Sequence, residues 1–253
     1  TTQIPKTNNQ ILDLYGVDPY TLDPAISADS VSNGYVIQIF SGLVKFDENL
    51  NITADIASDW SVSECGKVYS FNIRPDVYFH NGRNLTALDV KQSWERACNP
   101  ETRSQTAELY LGDIEGASEV ISGNATEITG ITAKNDYTLE VTLNEPRNYF
   151  LYKLAYPTAF VVDVETTYSA EWWRSDINAT GPFKLVSWQE GASITLERNE
   201  DFYGKVADIE KVIYHLWAGI QMDLYETNQI DIANVSIAYI DRIRDKNNIF
   251  YKE

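Results

Sequence analysis

The sequence predicts an α/β protein whose mixed sheets are built from antiparallel hairpins, and three features carry that prediction. Apolar and polar residues alternate with a period of two in three separate stretches. A helix with a capping signal at its start lies between the first two stretches. The 253 residues are 43% hydrophobic and 12% aromatic, enough to bury a sizeable core.

Taken in order, Tyr69, Phe71 and Ile73 alternate with Ser70, Asn72 and Arg74, which buries one face of a strand. Thr86 can cap the helix that follows, because Asp89 stands three residues later in capping-box spacing and Val90, Trp94 and Ala97 share one face. Asn99-Pro100 ends it, since proline lacks an amide donor and its predecessor disfavours helix. A hairpin is expected from Ile131 through a Lys134-Asn135-Asp136 turn into Tyr137, Leu139, Val141 and Leu143. Another runs from Phe183 to Trp188, turns at Glu190-Gly191, and returns with Ile194 and Leu196. Beyond it come a strand over Glu210 to Leu216, a helix over Ile220 to Thr227, a short strand over Ile230 to Ala233 and a last helix over Ile237 to Arg244. Asn247 to Tyr251 starts like a strand and goes nowhere, which reads as a cut end. Tandem repeats and low-complexity tracts are absent, so solenoids and propellers drop out.

Charge narrows the function classes. Twenty basic and 37 acidic residues leave a formal charge of −17. Nucleic-acid phosphates would be repelled by it, so no nucleic-acid partner is expected. Phe150 to Val162, the most apolar stretch, is interrupted by Lys153 and Pro157 and is too short to cross a bilayer. Thr1 to Pro5 carries neither an export signal nor a lipid-anchor motif. Cys65 and Cys98 allow one bridge at most, and free thiols fit equally well.

Enzyme motifs fail at identifiable residues. Gly66-Lys67 is followed by Val68 where a phosphate loop needs a hydroxyl, and no GxGxxG or GxSxG occurs. Asp47 to Asn51 imitates the start of a calcium loop, but Ile52 replaces the turn glycine and Ser58 the terminal Glu. His80 and His215 are far apart and lack a CxxC neighbour, so no metal site and no cofactor is expected; His80 reads as a hydrogen-bonded turn residue. Five sequons, at Asn51, Asn84, Asn124, Asn178 and Asn234, would mark surface loops in a glycosylated secreted protein, and an Asn- and Thr-rich chain also produces such triplets by chance. Paired carboxylates stay open, because spacing in sequence does not reveal distance.

Four segments together resemble the peptide- and nickel-type extracellular solute-binding proteins of ABC importers, family 5, and the oligopeptide-binding branch in particular. They are Leu22-Asp23-Pro24 through Phe40 to Val44 and on to Trp60; Tyr69 to Arg74 with Phe79-His80-Asn81-Gly82 and Leu85 to Val90; Leu143 to Pro146 with Phe150-Leu151 and Leu154-Ala155; and Thr180 to Leu185 with Leu196 to Asn199 and Tyr203-Gly204. The second is the most specific, and the resemblance runs from about residue 20 to the end. Each segment also has a folding role of its own: Gly181-Pro182 reads as a turn that uses glycine's permissive φ, and Trp60 and Tyr69 as core.

The resemblance implies a lobe like those of type II periplasmic binding proteins, with residues 1–42 and 166–253 forming a discontinuous lobe I around an inserted α/β subdomain at 43–165, and with the second lobe missing. It implies an extracytoplasmic receptor that takes a peptide or other small solute into a cleft closed by that second lobe and delivers it to ABC importer membrane subunits. It is expected in the periplasm or at the cell surface, held to the membrane only through a lipid anchor that this chain does not carry. Binding without catalysis follows. Alternatives are a nickel-chelate, haem or sugar binder on the same scaffold, a secreted hydrolase with paired carboxylates, and an adhesion module.

The same resemblance places the cleft lip at Ser30, Val31, Ser32 and Asn33, just before the helix that carries Phe40, and offers Tyr110 to the cleft as an aromatic. Ser30 to Asn33 equally fit a helix cap, and Tyr110 a buried core tyrosine. Trp172-Trp173 is expected to divide, one ring packing inward and the other shielding a subdomain junction.

Overall fold

The structure is a computed structural model and describes residues 10–167, 169, 171–174 and 177–244. Strand β1 is Ile11–Gly16 and helix α1 is Ser30–Ile39; β2 (Val44–Phe46) pairs antiparallel with β3 (Ile52–Ala54). Then follow β4 (Ala57–Val62), β5 (Val68–Ile73), α2 (Ala87–Cys98), α3 (Ala107–Leu111), α4 (Ala117–Ile121), β6 (Ile131–Asn135), β7 (Thr138–Thr142) and α5 (Phe150–Leu154). The chain continues through β8 (Phe183–Gln189), β9 (Ser193–Arg198), β10 (Lys211–Leu216), α6 (Gln221–Glu226) and α7 (Ile240–Arg244). It forms two compact units: the described residues of Pro19–Leu185 with Arg198–Ala207, and those of Thr1–Asp18 with Val186–Glu197 and Asp208–Glu253.

In the larger unit a four-stranded antiparallel sheet runs β4-β5-β7-β6. Tyr69, Phe71 and Ile73 of β5 and Leu139 and Val141 of β7 point into one core, as the alternation requires. Helix α2 adds Val90, Trp94 and Ala97, each 1% exposed or less. Its N-terminus is closed by Asp89, whose Oδ2 accepts the Thr86 N–H at 2.8 Å and the Thr86 hydroxyl at 2.9 Å. Trp94 buries its indole because Nε1 donates to the Ala159 carbonyl at 2.8 Å, which removes the cost of an unpaired donor. The β6–β7 turn lies one residue later than the expected Lys134 to Asp136, because Asn135 pairs with Thr138 across an irregularity after Ala133. Tyr137 thereby leaves the strand and donates its hydroxyl to Asn84 Oδ1 at 2.9 Å. The Asp47 segment is the tip of the β2–β3 hairpin: the carboxylate accepts the Asn49 and Asn51 N–H groups at 2.8 Å each, so its calcium-like spelling is turn chemistry.

In the smaller unit β1, β10 and β9 are consecutive in a second sheet, ordered β1-β10-β9-β8. The expected β8–β9 hairpin forms, with Gly191 at φ +69° in its turn. The β1–β10 pair is parallel, Ile11 opposite Lys211 through Gly16 opposite Leu216, which the antiparallel signatures in the sequence do not announce. Asp18 accepts the Gly191 N–H at 2.9 Å and the indole N–H groups of Trp188 and Trp217 at 3.0 and 3.1 Å, pinning the hairpin turn.

The short strand expected over Ile230 to Ala233 is one parallel bridge, Leu14 to Ile232. Asp231 donates its N–H to the Asp13 carbonyl, but its own carboxylate takes the Asp13 N–H at 2.7 Å, so a side chain occupies the place of the next ladder acceptor. The last helix begins with a tighter turn over Ile237–Tyr239 before α7. The strand start expected at Asn247 to Tyr251 lies outside the described residues.

Gly181 departs from its expected role. It has no positive φ; its Cα approaches the end of α1 so closely that a Cβ would lie 2.4 Å from the Ile39 carbonyl carbon. Trp172 and Trp173 do not divide either, since both are buried in a turn of 3₁₀-helix, 2% and 6% exposed. Cys65 is exposed and Cys98 buried, both as free thiols. Among the described residues no helix is long and apolar enough to cross a membrane.

Candidate functional site

Helix α1 fixes the first part of the site. Asp29 is its N-cap, extended at φ −115°, ψ 156°, with its carboxylate accepting the Ser32 N–H at 2.9 Å. Burial pushes the Asp29 carboxyl up, but hydrogen bonds from Ser32 and Val31 outweigh it and hold the group below the usual carboxylate value. The residues expected just ahead of the helix therefore form its first turn. Ser30 and Val31 stand exposed there.

Ser32 is fully buried, and its hydroxyl accepts the N–H groups of Tyr20 at 3.1 Å and Thr21 at 3.4 Å. Its side chain holds the loop before the helix. Asn33 is half-buried and engaged at both ends of its amide. The Ser27 hydroxyl donates to Oδ1 at 2.6 Å, and Nδ2 donates to the Tyr156 hydroxyl at 2.9 Å.

Tyr110 lies on α3, half-buried, with its ring stacked on Tyr156 at 3.9 Å between centroids and 6° between planes. Burial first, then the neighbouring Tyr156 phenol, pushes the Tyr110 hydroxyl up to about 12, so it stays protonated at any physiological pH. Asn33 and Tyr110 are thus brought together through Tyr156, which sequence reasoning did not single out. Tyr156 belongs to no periodic pattern. Its one legible signal is the following Pro157, which holds it extended (φ −92°, ψ 146°) after α5.

The groups gathered around Tyr156 are neutral hydroxyl, amide and aromatic groups, and the Asp29 carboxylate at the start of α1 is engaged as its cap. Among the described residues no cluster of three or more His, Cys, Asp or Glu could hold a metal ion. His80 lies at Gly181, with Nε2 and the Gly181 carbonyl 3.1 Å apart. The sequon amides of Asn84 and Asn178 are committed internally, to the Pro75 and Val77 carbonyls and to Asp163.

A cleft of about 1000 Å³ in the larger unit follows the polar stripe Gln92, Glu95 and Arg96 of α2 and its C-cap Asn99. It holds the two-pronged ion pair of Arg96 with Asp23, which is 3% exposed, and the Arg96 guanidinium lies 5.4 Å from the Trp172 ring. Ser30, Val31, Ser32, Asn33 and Tyr110 do not line it.

Comparison with known proteins adds three findings. The family model described as "Bacterial extracellular solute-binding proteins, family 5 Middle" matches residues 51–252. The dipeptide-binding protein DppE of Bacillus subtilis is 30% identical over 240 residues, 92% of this chain and 44% of that protein; the oligopeptide-binding protein OppA of the same organism is 34% identical over 194 residues, 74% of this chain and 35% of that one. The structure of Listeria monocytogenes OppA bound to peptide superposes with a TM-score of 0.87 at 25% identity, over 95% of this chain and 49% of that one. The chain spans half or less of the length of each of these relatives.

Proposed function

Because the chain belongs to the bacterial extracellular solute-binding proteins, family 5, we propose that it is one jaw of an extracytoplasmic receptor that binds oligopeptides for an ABC importer. The second jaw corresponds to the length of the relatives that this chain does not span. The superposition on a peptide-bound relative over 95% of this chain carries the reading. Binding leaves the peptide unchanged, as expected of a surface built from neutral hydroxyl, amide and aromatic groups. Anchoring at the membrane face, where an importer's subunits are met, belongs to the same proposal.

The ligand-facing part of this jaw is Ser30, Val31, Asn33 and Tyr110, with Ser32 acting from behind through the Tyr20–Thr21 loop. Exposure of Ser30 and Val31 at the start of α1, and the polar amide of Asn33 beside the paired phenols, support this assignment. For the domain plan, 1–42 and 166–253 around 43–165, strand membership is the support, while the larger compact unit also takes in the described residues of 19–42, 166–185 and 198–207. Every strand of the β1-β10-β9-β8 sheet lies in the first two segments, and every strand of the β4-β5-β7-β6 sheet in the third.

Calorimetric titration of mixed unblocked tri- to pentapeptides tests the reading. The natural polypeptide that carries this chain is expected to bind them, and residues 1–253 alone weakly or not at all, because a single jaw leaves the peptide ends in water. Equal tight binding by residues 1–253 refutes the two-jaw mechanism. Hydrolysis of the peptides refutes the receptor.

A further inference from the structure

We propose that Tyr156 is the positioning residue of this site: it couples the first turn of α1 to α3 and so makes Asn33 and Tyr110 a single preformed recognition surface. The inference rests on the peptide-receptor reading and deepens it.

Three observations carry it. First, Tyr156 touches both residues with different parts of one side chain. Its hydroxyl accepts from Asn33 Nδ2 at 2.9 Å, and its ring lies against Tyr110 at 3.9 Å. Asn33 and Tyr110 are 77 positions apart on separate elements. Second, the stack is tighter than aromatic pairs choose for themselves, which is about 4.5–7 Å between centroids. The Asn33 bond holds Tyr156 at its hydroxyl end while its ring lies against Tyr110. Third, the chain of bonds is closed at its far end. The Ser27 hydroxyl donates to Asn33 Oδ1 at 2.6 Å, so the amide cannot flip without losing both partners.

A ligand meeting Asn33 and Tyr110 therefore finds both already placed, and loses little freedom of the protein on binding. Tyr156 achieves this without having to touch the ligand.

The experiment compares the natural polypeptide with Tyr156→Phe, Tyr156→Leu and Tyr152→Phe, titrated with the mixed unblocked tri- to pentapeptides. Phe keeps the ring and removes the hydroxyl; binding is expected to weaken about 3- to 10-fold. Leu removes the stack as well and is expected to cost about a further 3- to 10-fold. Tyr152→Phe, at an exposed tyrosine outside the assembly, is expected to leave binding unchanged.

A ligand-free readout accompanies it. In the ultraviolet titration of the phenols, Tyr110 is expected to ionise at lower pH in Tyr156→Phe than in the parent, because a neighbouring phenol that raises it is gone. A parent that binds these peptides while both Tyr156 variants bind equally well overturns this inference and leaves the receptor reading intact. An unchanged Tyr110 ionisation in Tyr156→Phe also overturns it. A parent that binds none of them overturns the receptor reading and this inference with it.

Discussion

Single residues show how far local chemistry reaches. Gly181 is legible as a turn glycine, yet its requirement is a close approach across 142 positions, with its N–H donating to the Ile39 carbonyl at 2.8 Å. No φ-based signal contains that. Gly181→Ala is expected to destabilise by about 3 kcal/mol through overpacking, read as a lower urea midpoint; an unchanged midpoint would mean that α1 yields freely. His80 sits against the same glycine. Burial pushes its imidazole down to about 4, the Lys184 charge pulls the same way, and the hydrogen bond to Gly181 opposes both. Above about pH 6.5 the ring is neutral in both folded and unfolded chains. Below that value the unfolded chain takes up a proton first, so stability is lost as pH falls from about 6.5 towards 4. His80→Gln keeps a donor for the Gly181 carbonyl and removes the titration, so its midpoint should fall less between pH 7 and pH 4.5 than that of the parent. Parallel losses in the two proteins would exclude His80 as a source of acid sensitivity.

At the scale of elements, what the sequence spells is what neighbours within about ten residues enforce. Helix α2 carries its own start in Thr86 and Asp89, its own stop in Asn99-Pro100 and its own core face. All three hold. Asp89 does more than cap, however: with Asp163 it shares the Arg83 guanidinium, whose Nη2 donates to both carboxylates at 2.8 Å, a bond set that spans residues 83 to 163. Asp89→Ala removes cap and ion pair together and is expected to cost about 2–3 kcal/mol, against about 1 kcal/mol for Thr86→Ala, in paired denaturation curves. Equal costs would reduce Asp89 to its capping role. The β6–β7 hairpin shows the limit of spelling. Its existence follows from alternation, but its turn is set by the Asn135–Thr138 pairing, and Tyr137 leaves the strand for a bond to Asn84. The candidate site divides the same way. The Ser- and Asn-rich start of α1 is readable as a helix start, with Asp29 rather than its successors as the cap, whereas the meeting of α1 with α3 through Tyr156 is written nowhere in either segment.

Over the whole molecule, a charge of −17 acts at long range, on the approach of charged solutes rather than on short-range contacts. If the receptor reading is right, a lysine-containing peptide should associate about tenfold faster than a glutamate-containing one of equal length at low ionic strength. In stopped-flow traces that gap should close as salt screens the field. A gap that persists in high salt would place the discrimination in direct contacts instead. The sequence by itself determined the class of fold, the antiparallel hairpins, the capped helix α2 and the family, because each rests on short-range patterns or on several matched segments in order. Only the tertiary structure decided the parallel pairing of β1 with β10, the replacement of the Ile230–Ala233 strand by a carboxylate bond, the burial of both Trp172 and Trp173, and the union of Asn33 with Tyr110. Each of these depends on which distant residue arrives opposite. A chain discloses the period of its own side chains but not the identity of their partners, since contact distance in space is unrelated to separation along the backbone once a core has closed.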